Sequence, residues 1–194
     1  MTAVLVWFIA APFKLLSMLV AVIVAPFVSA YSIALDVDRL PGWLAWMQTT
    51  DNSLDALWQQ PQHLSGYAHL RRFSVHDFER SRLLRWWART LWLARNPGAG
   101  LSDSLGVETS GMRREVISQR GEWDSGRSMH RLQVWRNGRG EIVAWQLQAQ
   151  LFYLPGRGLF FRLNVGWKSV SNRSRLIMTA HVNPFRRWRL VSVY

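Results

Sequence analysis

Residues 15–35 read LLSMLVAVIVAPFVSAYSIAL and contain no charged side chain. At about 1.5 Å of rise per residue, a helix over this stretch is roughly 31 Å long, which matches the hydrocarbon thickness of a bilayer. Residues 1–13 are apolar as well, so the uncharged run is interrupted only at Lys14. The sequence predicts a membrane anchor over residues 1–35, in which an interfacial segment precedes Lys14 and a transmembrane helix begins at Leu15.

Three interpretations fit this N-terminal region: a membrane anchor, a cleavable signal peptide and a helix buried in a protein core. In an anchor, Lys14 lies at the headgroups, where its stem can snorkel, and Trp7 lies in the membrane interface. In a cleavable signal peptide, a positive charge, an apolar run and the small residues Val28, Ser29 and Ala30 occur in this same order. Cleavage after Ala30 would export the remaining chain to the periplasm.

The charges that flank the predicted span indicate an orientation. Lys14 and the amino terminus precede the span, whereas Asp36, Asp38 and Arg39 follow it. Because positive charge favours the cytoplasmic side, this balance slightly favours a single-pass, N-in protein of the inner membrane. The arginines further along the chain favour the opposite orientation, so the side of the C-terminal domain stays open.

Composition limits the classes of function. The 194 residues carry a net charge of +12 and include 12 tryptophans but no cysteine. A disulfide scaffold, a thiolate metal site and a cysteine nucleophile are therefore excluded. The positive charge attracts phosphate, either of lipid headgroups or of nucleic acid. Tryptophan is common both in protein cores and at membrane interfaces.

Residues 36–73 form a tryptophan-rich connecting segment. Trp43 and Trp46 belong to an aromatic patch directly after a Pro-Gly turn, and we expect this patch either at the membrane interface or docked on the domain. Asp51 and Asp55 follow in a polar stretch whose composition is typical of a turn or a helix N-cap.

The sequence predicts neither a metal site nor a catalytic site. The spacing of Asp51 and Asp55 is not that of an EF-hand, and the histidines do not form a pair of ligands on one helical face. Asp51, Asp55 and His181 are the only enzymatic candidates, and no nucleophile with a base accompanies them. We therefore expect a non-enzymatic protein with no cofactor.

Residues 74–110 are expected to form a basic amphipathic helix and a glycine-rich loop. Ser74 caps the helix together with Asp77, and Asn96-Pro97-Gly98 ends it after Arg95. An arginine face with apolar residues opposite is typical of a helix in an anionic headgroup layer. The alternative is a helix that packs on the domain's own sheet with a solvated charged face. If the helix lies in the headgroup layer, its predicted headgroup ligands are Arg82, Arg85 and Arg89. Its predicted interfacial residues are then Trp86 and Trp92.

Residues 111–194 change to a period of two and predict an antiparallel meander of four or five strands, so the fold class is α+β. One strand alternates Val143, Trp145 and Leu147 with Gln146, Gln148 and Gln150, which indicates burial on one face. Asn137-Gly138 predicts a hairpin turn, and another turn is expected at residues 155–158.

The sheet and the tail after it are basic, because no acidic residue follows Glu141. Basic residues interleaved with aromatic ones can track phosphates and stack bases, or hold a domain against an anionic membrane. The alternative is a solvated face with a basic tail. The phosphate-binding residues predicted here are Arg162, Lys168, Arg186, Arg187 and Arg189.

Five places in the chain resemble a family of uncharacterised membrane-associated proteins of tailed bacteriophages and prophages, a domain of unknown function. They are the apolar N-terminus, residues 46–55, residues 92–98, residues 166–168 and residues 183–186. The resemblance implies a phage origin and a bacterial membrane. Together with the anchor, it predicts a phage protein of the host inner membrane that binds a phage or host protein partner or anionic headgroups during infection. A nucleic-acid binder that handles phage DNA at the membrane is the alternative.

Overall fold

The computed structural model of the chain describes residues 2–121, 128–154, 159–169 and 174–187, with the main chain alone for residues 2, 65, 152–154, 159 and 184–187. The predicted turn at residues 155–158 lies outside these residues. The chain divides into two compact units. We name Met1–Pro12 with Leu105–Tyr194 the sheet unit, and Phe13–Ser104 the helical unit.

A single long helix, α1 (Thr2–Ala34), forms the N-terminal region. The structure has one continuous helix where the sequence predicted an interfacial segment followed by a second helix from Leu15. Pro12 and Pro26 both lie within α1. The first turns of α1 belong to the sheet unit, and the rest of the helix belongs to the helical unit.

Short helices make up the rest of the helical unit. They are 3₁₀ turns at Ala45–Met47 and Pro61–Gly66, and helices α2 (Ala56–Gln59), α3 (Val75–Arg80), α4 (Arg82–Arg95) and α5 (Ala99–Ser104). One apolar cluster joins α1 to Leu40, Met47 and Leu93. A second cluster forms around Trp58 and Phe78, whose rings stack with centroids 5.4 Å apart.

The basic helix predicted over residues 74–95 is wrong as one element, because the structure breaks it at Ser81. Ser81 has an extended backbone (φ −102°, ψ 105°), and its hydroxyl accepts a hydrogen bond from the Leu84 amide, which caps α4. The predicted capping box at the start is confirmed, since the Ser74 amide donates to the Asp77 carboxylate at 2.7 Å. Hydrogen bonds from Ser74 lower the pKa of Asp77.

The sheet unit contains six antiparallel strands in the order β1-β6-β5-β4-β3-β2. The sequence predicts a meander of four or five strands, and strands β2 to β6 form it with five, while the short β1 extends its far edge by pairing with β6. The α+β class is therefore confirmed. Asn137 closes the predicted β3–β4 hairpin, because its side-chain oxygen accepts from the amides of Arg139 and Glu141. The strands are β1 (Val107–Glu108), β2 (Arg113–Arg120), β3 (Met129–Arg136), β4 (Ile142–Leu154), β5 (Leu159–Ser169) and β6 (Arg175–Arg187).

The core of the sheet unit lies under the first turns of α1. Ala3 and Ala11 pack against Trp135, Trp167 and Met178 in one buried cluster. Small side chains on α1 allow the helix to approach the large indole rings of the sheet closely. The sheet unit therefore includes the start of α1 as part of its core.

The alternation along β4 predicts burial of one face, but two of the three glutamines on the opposite face are buried as well. Gln133, Gln146 and Gln150 are all buried. The Gln133 amide donates to Gln146 at 2.6 Å, and the Gln146 amide donates to Asn164 at 2.8 Å. Burying an amide is tolerated where another amide satisfies it, so a row of side-chain amides across β3, β4 and β5 takes the place of water.

Replacing Gly166 with alanine should destabilise the sheet unit by about 3 kcal/mol. Gly166 has φ of +104°, and a Cβ at this position would collide with the carbonyl oxygen of Trp145. Urea unfolding followed by tryptophan fluorescence measures the loss. Gly138→Ala is the matched control, because a Cβ there meets no atom within 4 Å. Equal stability of the two variants would contradict the close packing of β4 on β5.

Candidate membrane-binding surface

The face of α1 that packs within the helical unit consists of small residues. Ala21, Ala25, Ser29 and Ser32 have no exposed surface and recur at three- and four-residue spacing. These positions share one side of a helix. Small side chains on this side allow close packing against the rest of the unit, where Leu54 and Leu93 complete the cluster.

The opposite face of α1 is apolar and exposed. Ile23 is 61 % exposed and Phe27 is 74 % exposed. Moving each of these side chains from water into an apolar environment would be favourable by roughly 1.5–3 kcal/mol. The exposed large apolar residues of α1 in the helical unit are Phe13, Leu15, Leu16, Leu19, Val20, Val22, Ile23, Phe27 and Tyr31.

By length and composition, α1 is the one helix among the described residues that could cross a membrane. Its mean hydropathy is 2.3, and only 22 % of its most apolar stretch of 18 residues is buried. A signal sequence and a core helix of a soluble protein share this length and composition. The core helix of a soluble protein is buried over most of its surface. Most of the surface of α1 is exposed, so α1 is unlike such a core helix.

The first turns of α1 in the sheet unit show the same division into two faces. Trp7 packs edge-on against Trp145 with ring centroids 5.4 Å apart, and its indole nitrogen lies 3.4 Å from the carbonyl oxygen of Thr179. Trp7, predicted at the membrane interface, is therefore half-buried against the sheet. Leu5 and Phe8 are exposed instead.

Lys14 does not extend to the surface as snorkelling requires. Its side chain is buried, and its ammonium donates to the carbonyl oxygens of Pro97, at 3.3 Å, and Gly98. These carbonyls follow the C-terminal end of α4, where the helix dipole favours a cation. Lys14 therefore ties α1 to the end of α4.

Arg89, predicted as a headgroup ligand, is fully buried, and this prediction is wrong. Its Nε lies 2.6 Å from one oxygen of Asp55, and its Nη2 lies 3.1 Å from the other. Its Nη1 donates to the hydroxyl of Ser32 and to the carbonyl of Val37, both at 2.8 Å. The guanidinium thus makes four hydrogen bonds within the protein and joins α4, α1 and the segment before α2.

The other two arginines predicted on α4 differ in exposure. Arg82 is exposed at the first position of the helix. Arg85 is partly exposed and lies 3.6 Å from Asp36 and 3.8 Å from Asp55. Only Arg82 of the three therefore presents an open guanidinium.

The predicted interfacial tryptophans of the helical unit also separate. Trp43 is 71 % exposed and its ring contacts Tyr31 of α1. Trp46 packs on the first cluster. The Trp86 indole donates to the Pro26 carbonyl at 2.8 Å, which links α4 to α1.

Trp92 is buried in the second cluster, so its predicted position in the membrane interface is wrong. Its ring lies against His63, with centroids 4.9 Å apart. Burial and the nearby Arg95 lower the pKa of His63. A neutral imidazole is the form that packs against a buried indole without a desolvation cost.

Arg162 and Lys168, the predicted phosphate ligands of β5, are both partly buried. The main chain of Arg186 and Arg187 belongs to β6, where Arg186 pairs with Phe160 and Arg187 with Leu159. Their side chains lie outside the described residues, as does all of Arg189.

Within the described ranges, no three acidic or histidine side chains are grouped so that they could hold a metal ion. An open depression of about 580 Å³ in the sheet unit is lined by Ala3, Val6, Trp167, Arg136 and Glu141 among others. Most residues that line the depression are apolar, and Arg136 and Glu141 are the charged ones. The lining contains no nucleophile with a base.

Sequence reasoning missed Asp55 and Ser32 as partners of Arg89. Asp55 lies 34 positions from Arg89, and Ser32 lies 57 positions away. A buried arginine needs a carboxylate, and Asp55 stands within an apolar run, Leu54 to Trp58, that indicates burial. This local context was the available signal.

The chain matches a family model over residues 1–190. It belongs to DUF7338, a family of unknown function. No curated protein and no solved structure matches the chain. The family membership covers both units of this DUF7338 protein and assigns no activity to either.

Replacing Asp55 with alanine should lower the free energy of unfolding of the helical unit by about 3–5 kcal/mol, because it leaves the Arg89 charge buried without its partner. Thermal unfolding followed by near-UV circular dichroism measures the change. Glu79→Ala is the matched control, since Glu79 forms an exposed pair with His76 that contributes at most about 0.5 kcal/mol. A similar small effect of both substitutions would contradict a structural role for the buried pair.

Proposed function

We propose that this DUF7338 protein is a non-enzymatic membrane protein that embeds the exposed face of α1 in the bacterial inner membrane. The observation that carries the proposal is the continuous apolar surface of α1, which has no charged side chain on its exposed side. Monomeric soluble proteins rarely expose large contiguous apolar patches. Lipid acyl chains are the solvent that such a surface fits.

The packing of α1 favours an embedded helix over a cleaved signal peptide. Cleavage after Ala30 would remove Ala21, Ala25 and Val28 from the first cluster of the helical unit. It would also remove Ala3 and Ala11 from the core of the sheet unit. Both units would lose part of their core, so we propose that α1 is retained in the working protein.

The net charge of +12 supports attraction to anionic headgroups. Exposed Arg82 and the basic C-terminal tail are the candidates for this contact, whereas Arg89 is committed to Asp55. Origin from a phage or prophage, and action on a phage or host partner during infection, rest on the sequence resemblance alone. They form part of the same proposal.

Charged substitutions on the exposed face of α1 should release the protein from membranes. The double variant Leu19→Asp, Ile23→Asp places two carboxylates where acyl chains would lie, at about 2.5–3.5 kcal/mol for each charge at full depth. We expect the unaltered protein to float with phosphatidylcholine vesicles in a density gradient and the variant to stay at the bottom.

The matched control for this flotation is Val116→Asp, because Val116 is exposed on the edge strand β2 of the sheet unit. This variant should float as the unaltered protein does. If the double variant also floats, or if the unaltered protein remains soluble without vesicles or detergent, the proposal fails.

The basic tail should add affinity for anionic lipid without being needed for attachment. Changing Arg186, Arg187 and Arg189 to glutamine should leave binding to phosphatidylcholine unchanged and reduce the additional binding to phosphatidylglycerol, by up to about fivefold for each arginine. Tight binding of a single-stranded oligonucleotide that falls steeply with salt, and is lost in the same variant, would instead support the nucleic-acid alternative.

A further inference from the structure

We infer that the α1 segment at residues 13–34 lies in the plane of the membrane surface, with its exposed face in the acyl chains and the rest of the helical unit on the aqueous side. The inference rests on the membrane attachment proposed above. It replaces the single crossing that composition predicts with a monotopic arrangement.

The rest of the helical unit contacts α1 from Lys14 to Ser32. Lys14 contacts the carbonyls that follow α4, Pro26 accepts from Trp86, and Ser32 accepts from Arg89. From Lys14 to Ser32 a helix rises about 27 Å, which is nearly the full hydrocarbon thickness. Protein therefore lies along one side of α1 over nearly the whole distance that a crossing would need.

The outer surface of the helical unit is charged. The helical unit exposes many charged side chains on the segments that follow α1. A helix standing across the bilayer would carry this packed unit into the hydrocarbon with it, and every charge at depth costs several kcal/mol. The exposed charged residues include Asp51, Arg71, Arg72, Glu79, Arg80 and Arg95.

The two sides of α1 differ in polarity of environment: one packs on the helical unit, and the other is exposed and apolar. In an interfacial helix, one face enters the acyl region by about 5–10 Å while the other stays in a polar environment. In this helix the role of the polar face is taken by the packed unit, fixed through Lys14 and Arg89. The exposed face at residues 13–34 carries only apolar residues and alanines, together with Tyr31, whose ring contacts the exposed Trp43. Tyrosine and tryptophan are the residues that favour the interface.

Depth measurement at three positions tests the inference, and the absence of native cysteine makes single labelling sites available. Leu16, Ile23 and Ala30 are exposed and stand seven residues apart, so they share one helical face. Each is changed to cysteine in the full chain and labelled with an environment-sensitive fluorophore. The labelled proteins are bound to phosphatidylcholine–phosphatidylglycerol vesicles whose acyl chains carry bromine at defined depths.

The monotopic arrangement predicts that the same shallow bromine position quenches all three labels most strongly. A crossing helix predicts deep quenching at Ile23 and shallow quenching at Leu16 and Ala30, and this result would overturn the inference while leaving membrane attachment intact. A lack of quenching at all three would overturn the attachment itself. A label at Gln59, which is exposed on α2, is the aqueous control and should not be quenched.

Discussion

Arg89 has no exposed surface, and its guanidinium holds three parts of the helical unit together. Both Asp55 oxygens bind it, and it donates to Ser32 of α1 and to the Val37 carbonyl just after that helix. A buried charge is tolerated only when its partners are fixed in place. The position of α1 against α4 is therefore set by the need to satisfy one cation, and Lys14 adds a second such bond at the other end.

This constraint gives α1 two different faces although its composition is apolar on all sides. Alanines and serines face the protein, while leucine, isoleucine and phenylalanine face outward. Hydropathy averages over both faces and therefore predicts a transmembrane span. The distinction that matters for the proposed function is between small residues that allow close helix packing and large residues that we propose contact lipid.

Sequence reasoning identified elements whose signals are local. The strands β3 to β5, the Asn137 turn and the Ser74 capping box are each predicted from neighbouring residues, and each is present in the structure. It did not identify features that depend on distant partners. A helical pattern cannot distinguish the buried Arg89 from the exposed Arg82, because the carboxylate that decides the matter lies 34 positions away. The amide row of Gln133, Gln146 and Asn164 likewise spans three strands.

In the proposed arrangement α1 stays on one side of the bilayer, and the sidedness of its two ends tests this most directly. Single cysteines replacing Thr2 and Asp38, which precede and follow the proposed membrane contact at residues 13–34, can be labelled with a maleimide that does not cross membranes, in right-side-out and in inverted vesicles. We predict that both positions react in the same vesicle preparation. Reaction of Thr2→Cys in one preparation and of Asp38→Cys only in the other would show that α1 crosses the membrane, and would contradict the account.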